Sequence, residues 1–280
     1  MCMGLGCNAV GVMGCRIIQS PRERLLAILT NALMPCNGRF PTLMTLTGVF
    51  LFFAGGAWSA AAGAAMLAGL VALSVGMTLL CCYGLSRTVL KGMPSAFALE
   101  LPPFRRPRVG QIVVRSVLDR TLYVLGRAVC VAAPAGLAVW ALANVPVGGL
   151  PLLGRCADVL DPVGRALGMD GAILLAFVLG LPANEIVLPI LLMTYLSQGV
   201  LTAPQSLDAL RDMLAQHGWT AWTAACMTLF SLFHWPCSTT LWTIRRETGS
   251  WKWTLVALAL PTLAGAALCA ALNAIRLLVG

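Results

Sequence analysis

The chain has 280 residues, of which 59% are hydrophobic and 10% are charged, and its mean hydropathy is +0.86. About a quarter of the residues of an average soluble protein are charged. The composition therefore excludes a soluble globular protein, a nucleic-acid-binding protein and a disordered protein. We interpret the chain as an integral membrane protein in the lipid bilayer, and we use its net charge of +9 as information on topology.

The charged residues are concentrated in polar stretches between apolar segments. Loops rich in Lys and Arg face the cytoplasm, so we predict that stretches 16–24, 87–127 and 245–252 are cytoplasmic. Stretches 144–170 and 198–218 hold at least as many Asp as Arg residues and are predicted to lie outside. A spanning helix needs about 20 apolar residues, which selects six candidate spans: 25–57, 62–86, 121–143, 171–197, 219–244 and 253–275.

The span 171–197 has outside stretches on both sides, so it must be a re-entrant hairpin or make an even number of passes. Pro182, which lacks an N–H group and disfavours helix, interrupts it within the sequence Gly180–Glu185. Non-helical backbone is tolerated at membrane depth only where protein or water surrounds it. We therefore predict a functional site at the tip of this hairpin.

Two short motifs occur twice in the same order. Gly4–Asn8 matches Gly180–Asn184 in its Gly, Leu and Asn, and the Pro-Cys pair in Met34–Gly38 matches that in Trp235–Thr239. Span 25–57 begins beside cytoplasmic charges and span 219–244 ends beside them, so the two copies have opposite orientations. Inverted repeats with broken helices are typical of secondary transporters. The predicted fold is all-α: a polytopic transmembrane helical protein with two inverted repeats, broken helices and re-entrant hairpins.

The repeats divide the chain into three parts. Residues 1–86 form the first repeat, 87–120 a cytoplasmic connector, and 121–280 the second repeat with the C-terminal transmembrane helices. Within the connector, 100–107 is too rich in proline for a helix. An amphipathic helix on the membrane surface is predicted after it, from the helical spacing of Val109, Ile112, Val113 and Val117. This helix is either an anchor between the repeats or a docking surface for a soluble regulatory partner.

Two charged residues lie outside the polar stretches and inside predicted spans, where charge is costly and usually functional. Glu185 is the only acidic one. It is predicted to coordinate a cation, to titrate with it, or to form a salt bridge with Arg39 that locks the two repeats together. For Arg39 we expect a structural or gating role, because a cation pathway would not place a permanent positive charge among its ligands.

Cysteine residues stand at three of the predicted breaks. Cys36 and Cys237 follow Pro35 and Pro236, where carbonyl groups lose their helical partners, and Cys7 stands at the first hairpin tip. Thiolates beside such carbonyls are metal ligands. His234 either binds metal or bonds a freed carbonyl, and neutral oxygen ligands are available from Asn8, Asn37 and Asn184. Sulfur with neutral oxygen and one carboxylate suits a borderline divalent transition metal, with iron, manganese, zinc and cobalt all left open.

Hydrolytic motifs are absent from the sequence. It contains no His-Glu-x-x-His, no Gly-x-Ser-x-Gly and no P-loop. We therefore expect no nucleotide hydrolysis and no GTP site in this chain.

Several of these motifs resemble the ferrous iron transport protein B (FeoB) family, and the resemblance covers essentially the whole chain. The first gate region of the family is matched by Gly4–Arg16, Ser20–Leu25 and Pro35–Pro41. Its cytoplasmic connector is matched by 100–107, and its second gate by Leu181–Val187 and His234–Thr240.

The resemblance implies a multi-pass transporter, with two gate repeats, that imports Fe²⁺ across the cytoplasmic membrane of a prokaryote. Fe²⁺ would be the transported substrate rather than a resident cofactor. It would pass between Cys7, Cys36 and Cys237, with Asn8, Asn184 and Glu185 completing the ligand shell. Implied partners are a cytoplasmic G domain, small regulatory Feo proteins and a homo-oligomer. The G domain and the helices expected before the first gate are missing here, so we expect either an incomplete reading frame or a split transporter.

Two other functions remain open at this point. One is a gate-type permease for another divalent metal or for a small organic solute such as a nucleoside, which Trp235 and the asparagines at the breaks would suit. The other is a non-transporting subunit or fragment that scaffolds a partner.

Overall fold

The computed structural model describes residues 2–53, 60–90, 108–115, 117–118, 122–147, 150–196 and 206–279. These residues are mainly helical, as predicted. A two-residue antiparallel ribbon joins Pro146–Val147 to Leu150–Pro151. The α-helices are α1 Cys2–Gly6, α2 Asn8–Gly14, α3 Pro21–Thr30, α4 Phe40–Phe53, α5 Ala60–Arg87, α6 Val109–Arg115, α7 Tyr123–Asn144, α8 Leu152–Ala166, α9 Gly171–Leu179, α10 Val187–Leu196, α11 Leu207–Gln216, α12 Ala221–Phe233, α13 Ser238–Thr248 and α14 Trp251–Val279.

The predicted spans fall into unbroken and broken helices. Among the described residues, α5 and α14 are each long and apolar enough to cross a membrane, and they correspond to predicted spans 62–86 and 253–275. Helices α8 and α9 together meet the same criterion but are bent by 109° at their junction. The predicted span 121–143 corresponds to α7.

The other three predicted spans are broken where the sequence indicated. Span 25–57 consists of α3, a 3₁₀ turn at Asn31–Leu33 and α4, and span 219–244 consists of α12 and α13. Span 171–197 turns back between α9 and α10. At the first tip, Cys7 is extended between α1 and α2, with φ −150° and ψ 123°. We call residues 2–53 the first unit, and residues 171–196 with 206–248 the second unit.

The two units pack directly against each other. Helix α4 of the first unit lies against α12 of the second, and α2 lies against α13. Helix α14 covers α12 and α13, while α8 lies along α9. The largest cluster of buried apolar side chains is built mainly from the second unit and also contains Leu46 and Val49 of α4. The residues around the two Pro-Cys breaks are therefore largely buried between the units, whereas Cys7 and Glu185 at the hairpin tips are exposed.

Contacts at the helix ends join polar stretches that the charge pattern assigns to the same face. Arg16 Nε donates to Glu247 Oε2 at 2.9 Å, and Arg22 donates to the Ser86 carbonyl at 3.2 Å. At other helix ends, the Asn273 amide donates to the Arg165 carbonyl at 3.2 Å. The first and fifth polar stretches thus meet each other, and the end of α14 meets the third stretch.

Three parts of the chain depart from, or add to, the sequence expectations. Helices α8 and α11 occupy the polar stretches 144–170 and 198–218, for which no helix was predicted. A helix is present at the predicted position as α6, and Val109, Ile112 and Val113 on it are all exposed; its place on the membrane surface stays a prediction. The proline-rich part of the connector, 100–107, lies outside the described residues.

Candidate functional site

In each unit the hairpin tip is bonded to the Pro-Cys break. The backbone N–H of Asn37, directly after Cys36, donates to the Gly6 carbonyl at 3.2 Å. In the second unit the N–H of Ser238, directly after Cys237, donates to the Leu181 carbonyl at 2.9 Å. In both units, therefore, the residue after the cysteine of the break is bonded to the hairpin tip, at acceptors that differ by one position of the motif.

The second break leaves carbonyl groups without helical partners. Leu232 is four residues before Pro236, which lacks the N–H that would bond its carbonyl in a continuous helix. Arg39 of the first unit supplies the hydrogen bond instead, at 2.9 Å. Its guanidinium also donates to the carbonyls of His234 at 2.8 Å, Trp235 at 3.1 Å and Ala32 at 3.4 Å. Arg39 is 0% exposed, and these contacts join the two units, while its structural or gating role stays a prediction.

The first break is bonded within its own unit. Asn31 stands four residues before Pro35, and its carbonyl accepts from the Met34 N–H at 3.2 Å. With the Asn8 amide oriented so that its nitrogen faces these acceptors, it donates to the same carbonyl at 3.3 Å and to that of Gly4 at 3.1 Å. In return the Asn31 side chain donates to the Asn8 carbonyl at 3.0 Å. Asn8 therefore ties the first tip to the first break.

The three candidate cysteines lie near one another at different depths. Cys7 is exposed, Cys237 is half-buried and Cys36 is buried. The bond from Asn37 to Gly6 places Cys36 beside the first tip, and Cys36 Sγ also lies 4.0 Å from the Asn184 amide of the second tip. The bond from Ser238 to Leu181 places Cys237 beside that second tip. The convergence of the tips and breaks thus brings the sulfur atoms from both units into one region.

Asn184 and His234 connect this region to the second tip. His234 Nδ1 lies 2.9 Å from the Ser231 carbonyl, which can only accept, so Nδ1 carries a hydrogen atom. Nε2 lies 3.2 Å from the amide group of Asn184, and the same amide lies 4.0 Å from Cys36 Sγ. The Asn184 side chain therefore stands between an imidazole of the second unit and a thiol of the first.

Glu185 lies beside the first break, but it does not pair with Arg39. Its side chain is exposed, and Oε2 lies 3.5 Å from the position that a Cβ on Gly38 would take. Among the described residues no ion pair joins Glu185 to Arg39, because backbone carbonyls already accept from the guanidinium. The salt bridge considered for these two residues is therefore wrong. The exposed carboxylate remains available to a cation.

The structure does not by itself define one metal centre. In the part of the chain that is described, no three side chains of His, Cys, Asp or Glu form a group able to hold one metal ion. Asn37, a further candidate, is exposed. The ligand set of the sequence analysis stays a prediction, and the different depths of the cysteines favour successive sites over a single one.

Some polar groups at the second break were missed by the sequence analysis. Thr240 Oγ1 lies 3.2 Å from Cys237 Sγ, a contact that the three-residue spacing at the start of α13 could have indicated. Three buried polar atoms here make no hydrogen bond to the described residues: Arg39 Nε, Trp235 Nε1 and Ser238 Oγ. Buried polar atoms are usually bonded, so unpartnered donors at a helix break are consistent with a wet or ligand-binding site.

Comparison with known protein families gives two matches. The Gate family, described as nucleoside recognition, matches residues 125–251, which include the second unit. The family described as the ferrous iron transport protein B C terminus matches residues 67–119.

Curated relatives match both units of the chain. A protein described as the Fe(2+) transporter FeoB of Methanocaldococcus jannaschii is 28% identical over 274 residues, covering 92% of this chain and 38% of that protein. The Fe(2+) transporter FeoB of Staphylococcus aureus is 28% identical over 93% of this chain and 38% of its own length. A fusion of Fe(2+) transport protein A with FeoB from Porphyromonas gingivalis is 24% identical over 90% of the chain and 34% of its length. The chain thus spans little more than a third of these relatives, and no solved structure is significantly similar to it.

Proposed function

Because this chain belongs to the ferrous iron transport protein B family and corresponds to the membrane portion of its members, we propose that it forms a pathway for Fe²⁺ across the cytoplasmic membrane of a prokaryote. The observation that carries the proposal is that hydrogen bonds and contacts join the tips and breaks that bear Cys7, Cys36 and Cys237. Sulfur ligands suit a borderline metal such as Fe²⁺ better than the hard cations Na⁺ and Mg²⁺.

The proposed path follows the depth of the thiols. Fe²⁺ is first bound by the exposed Cys7 and the exposed carboxylate of Glu185, and then passes by way of Cys237 to the buried Cys36. Asn184 and His234 line the buried end, where the amide and ring can orient a bound ion. Asn8 is not placed on this path, since its amide nitrogen faces two backbone carbonyls of the first unit.

The topology follows from the charge pattern. Stretches 16–24 and 245–252 face the cytoplasm, and α8 and α11 lie on the outer side. A G domain and a small Feo protein act with the pathway, and the fusion of Fe(2+) transport protein A to FeoB in one relative supports the second of these partners. GTP hydrolysis is assigned to the G domain.

Uptake of radiolabelled Fe²⁺ tests the proposal. An iron-transport-deficient bacterium expresses the unsubstituted chain, Cys36→Ser or Cys237→Ser under anaerobic conditions. Each chain is expressed alone and together with a G-domain protein. We expect each substitution to lower uptake by at least about tenfold, since loss of even an outer partner of a metal ligand costs 10- to 100-fold. Cys15→Ser is the matched control, because Cys15 is buried and its thiol donates to the Gly11 carbonyl at 3.3 Å, as a serine hydroxyl would.

The outcomes separate the alternatives. Unchanged uptake in both variants contradicts the thiol pathway. Uptake that requires the partner indicates a split transporter, and absence of uptake under both conditions favours a non-transporting subunit.

A second candidate, transport of a nucleoside, is favoured by the description of the Gate family and by the aromatic rings at the second break. The Trp235 ring lies 5.9 Å from Phe230 and 6.2 Å from His234, and its Nε1 has no partner among the described residues. Radiolabelled uridine in the same cells distinguishes the two. Uridine uptake that survives the cysteine substitutions supports the nucleoside.

A further inference from the structure

The carbonyl groups around Arg39 have the arrangement of a cation site. The carbonyls of Leu232, His234 and Trp235 all point at one guanidinium from the second unit, and Ala32 completes the set from the first. Carbonyls freed where a membrane helix unwinds are the groups that coordinate Na⁺ in transporters with broken helices. The C-terminal end of α12 adds the negative end of its dipole to the same place.

The positive charge of Arg39 is compensated by these dipoles. The side chain is 0% exposed, and none of the ion pairs among the described residues includes it. A buried charge without a counter-charge is strongly unfavourable. The carbonyl groups must therefore supply enough negative potential at this point to hold a full positive charge.

We propose that Arg39 is a tethered cation that fills an alkali-cation site at the second helix break and so determines which ions the pathway accepts. We call the carbonyl oxygens of Ala32, Leu232, His234 and Trp235 the carbonyl cage. While the guanidinium occupies the carbonyl cage, Na⁺ and K⁺ cannot reach the oxygen ligands that they prefer. The rest of the site offers sulfur from Cys36 and Cys237. The role of Arg39 in selectivity rests on the proposed function, whereas the occupancy of the carbonyl cage by a cation is independent of it.

A plain structural clamp makes different predictions from a tethered cation. A clamp requires the shape and the five donors of arginine, whereas the cage requires a positive charge and tolerates different donors. A small free cation should therefore restore the stability that Arg39→Ala removes, and Arg39→Lys should keep that stability without added salt.

Thermal unfolding of the full chain in detergent tests the charge. Arg39→Ala is purified in N-methylglucamine chloride and then titrated at constant ionic strength with NaCl, KCl or methylguanidinium chloride. We expect its melting temperature to rise by about 3 °C or more across the titration, from the linkage of binding to stability. The unsubstituted chain, Arg39→Lys and Arg155→Ala should not respond. Arg155→Ala removes an exposed arginine of α8, far along the chain from the breaks.

Sodium uptake into proteoliposomes tests the selectivity. We expect Arg39→Ala to admit radiolabelled Na⁺ or Rb⁺ at about ten times the rate of the unsubstituted chain, and Arg39→Lys to exclude both ions. A folded Arg39→Ala that ignores every cation overturns the proposal. Failure of Arg39→Ala to fold in all four salts overturns it too, because the side chain would then act as a clamp. If the cysteine variants keep their iron uptake, the proposed function fails, while the salt response of Arg39→Ala still decides the identity of the cage.

Discussion

In both units a proline leaves a backbone carbonyl without its helical hydrogen bond, but the two units bond that carbonyl in different ways. Pro35 and Pro236 each remove the N–H that a carbonyl four residues earlier requires. In the first unit that carbonyl belongs to Asn31 and is bonded by Met34 and Asn8, all within the unit. In the second unit it belongs to Leu232 and is bonded by Arg39 from the other unit.

This difference changes the task of the equivalent asparagines. Asn8 lies beside the Asn31 and Gly4 carbonyls of its own unit. Asn184 is the counterpart of Asn8 in the second unit. Its amide does not bond the carbonyl at the break but lies between His234 and Cys36. A repeated sequence motif therefore yields one self-contained break and one break that depends on its partner, and the candidate site is at the dependent one.

The largest effect is expected from filling the close approach at the second tip. In Gly180→Ala the new Cβ would lie 2.5 Å from Val187 Cγ2 and 2.9 Å from the Ala176 carbonyl oxygen, and the helix backbone cannot easily move. Overpacking of this kind costs about 1–3 kcal/mol, and we expect the upper end. Thermal unfolding in detergent measures the loss.

Gly11→Ala tests a different close approach, which lies in the first unit. Its Cβ would lie 2.7 Å from Asn31 Oδ1, a side-chain atom that can shift if its amide gives up a hydrogen bond. We expect a smaller loss, about 1–2 kcal/mol. Gly6→Ala is the control, because nothing lies within 4 Å of a Cβ there. Equal melting temperatures for Gly180→Ala and Gly6→Ala would contradict the contact.

The next largest effect separates the two asparagines. We expect Asn184→Ala to lower Fe²⁺ uptake about tenfold, as loss of a ligand-orienting group does, with a small change in melting temperature. Asn8→Ala should lower the melting temperature and leave uptake per folded molecule nearly unchanged. Uptake and detergent melting on the same preparations measure both. The opposite pattern would place the functional asparagine in the first unit.

The helix breaks were predictable from prolines that stand within repeated motifs, Pro35, Pro182 and Pro236. Proline alone does not end a helix, since Pro261 lies inside the continuous helix α14. The apolar lengths of α5 and α14 satisfy the bilayer requirement directly. The expectation that Cys7, Cys36 and Cys237 line one pathway came from the repetition of the tips and breaks, and it stays a prediction.

The partners of the charged side chains were not predictable in the same way. Arg39 lies 193 residues from Leu232 in sequence, and nothing in its neighbourhood distinguishes carbonyl acceptors from the carboxylate of Glu185. Helices α8 and α11 were missed because their polar faces make their composition resemble that of loops. In both cases tertiary packing selects among options that the local sequence leaves equal.

A smaller effect is expected at Glu185. Because its side chain is exposed and does not pair with Arg39, Glu185→Gln should leave the melting temperature unchanged. We expect the apparent KM for Fe²⁺ to rise about threefold, through loss of a negative charge that attracts the cation, and the effect to shrink at high salt. Gly38→Ala is a useful comparison, since its Cβ would only touch the carboxylate, at 3.5 Å. A large loss of folded protein in Glu185→Gln would contradict this expectation and support a salt bridge between Glu185 and Arg39.

The smallest effect concerns the ion pair that joins the units at their charged ends. Arg16 donates to Glu247 at 2.9 Å, but the Arg16 side chain is 66% exposed, so water and salt screen the attraction. A double-mutant cycle with Arg16→Ala and Glu247→Ala should give a coupling energy of about 0.5 kcal/mol that falls as salt is added. A coupling energy above about 2 kcal/mol would mean that this ion pair stabilises the contact between the units as strongly as a buried ion pair does. A small coupling, beside a large cation response of Arg39→Ala, would place the connection between the units at the carbonyls of the second break.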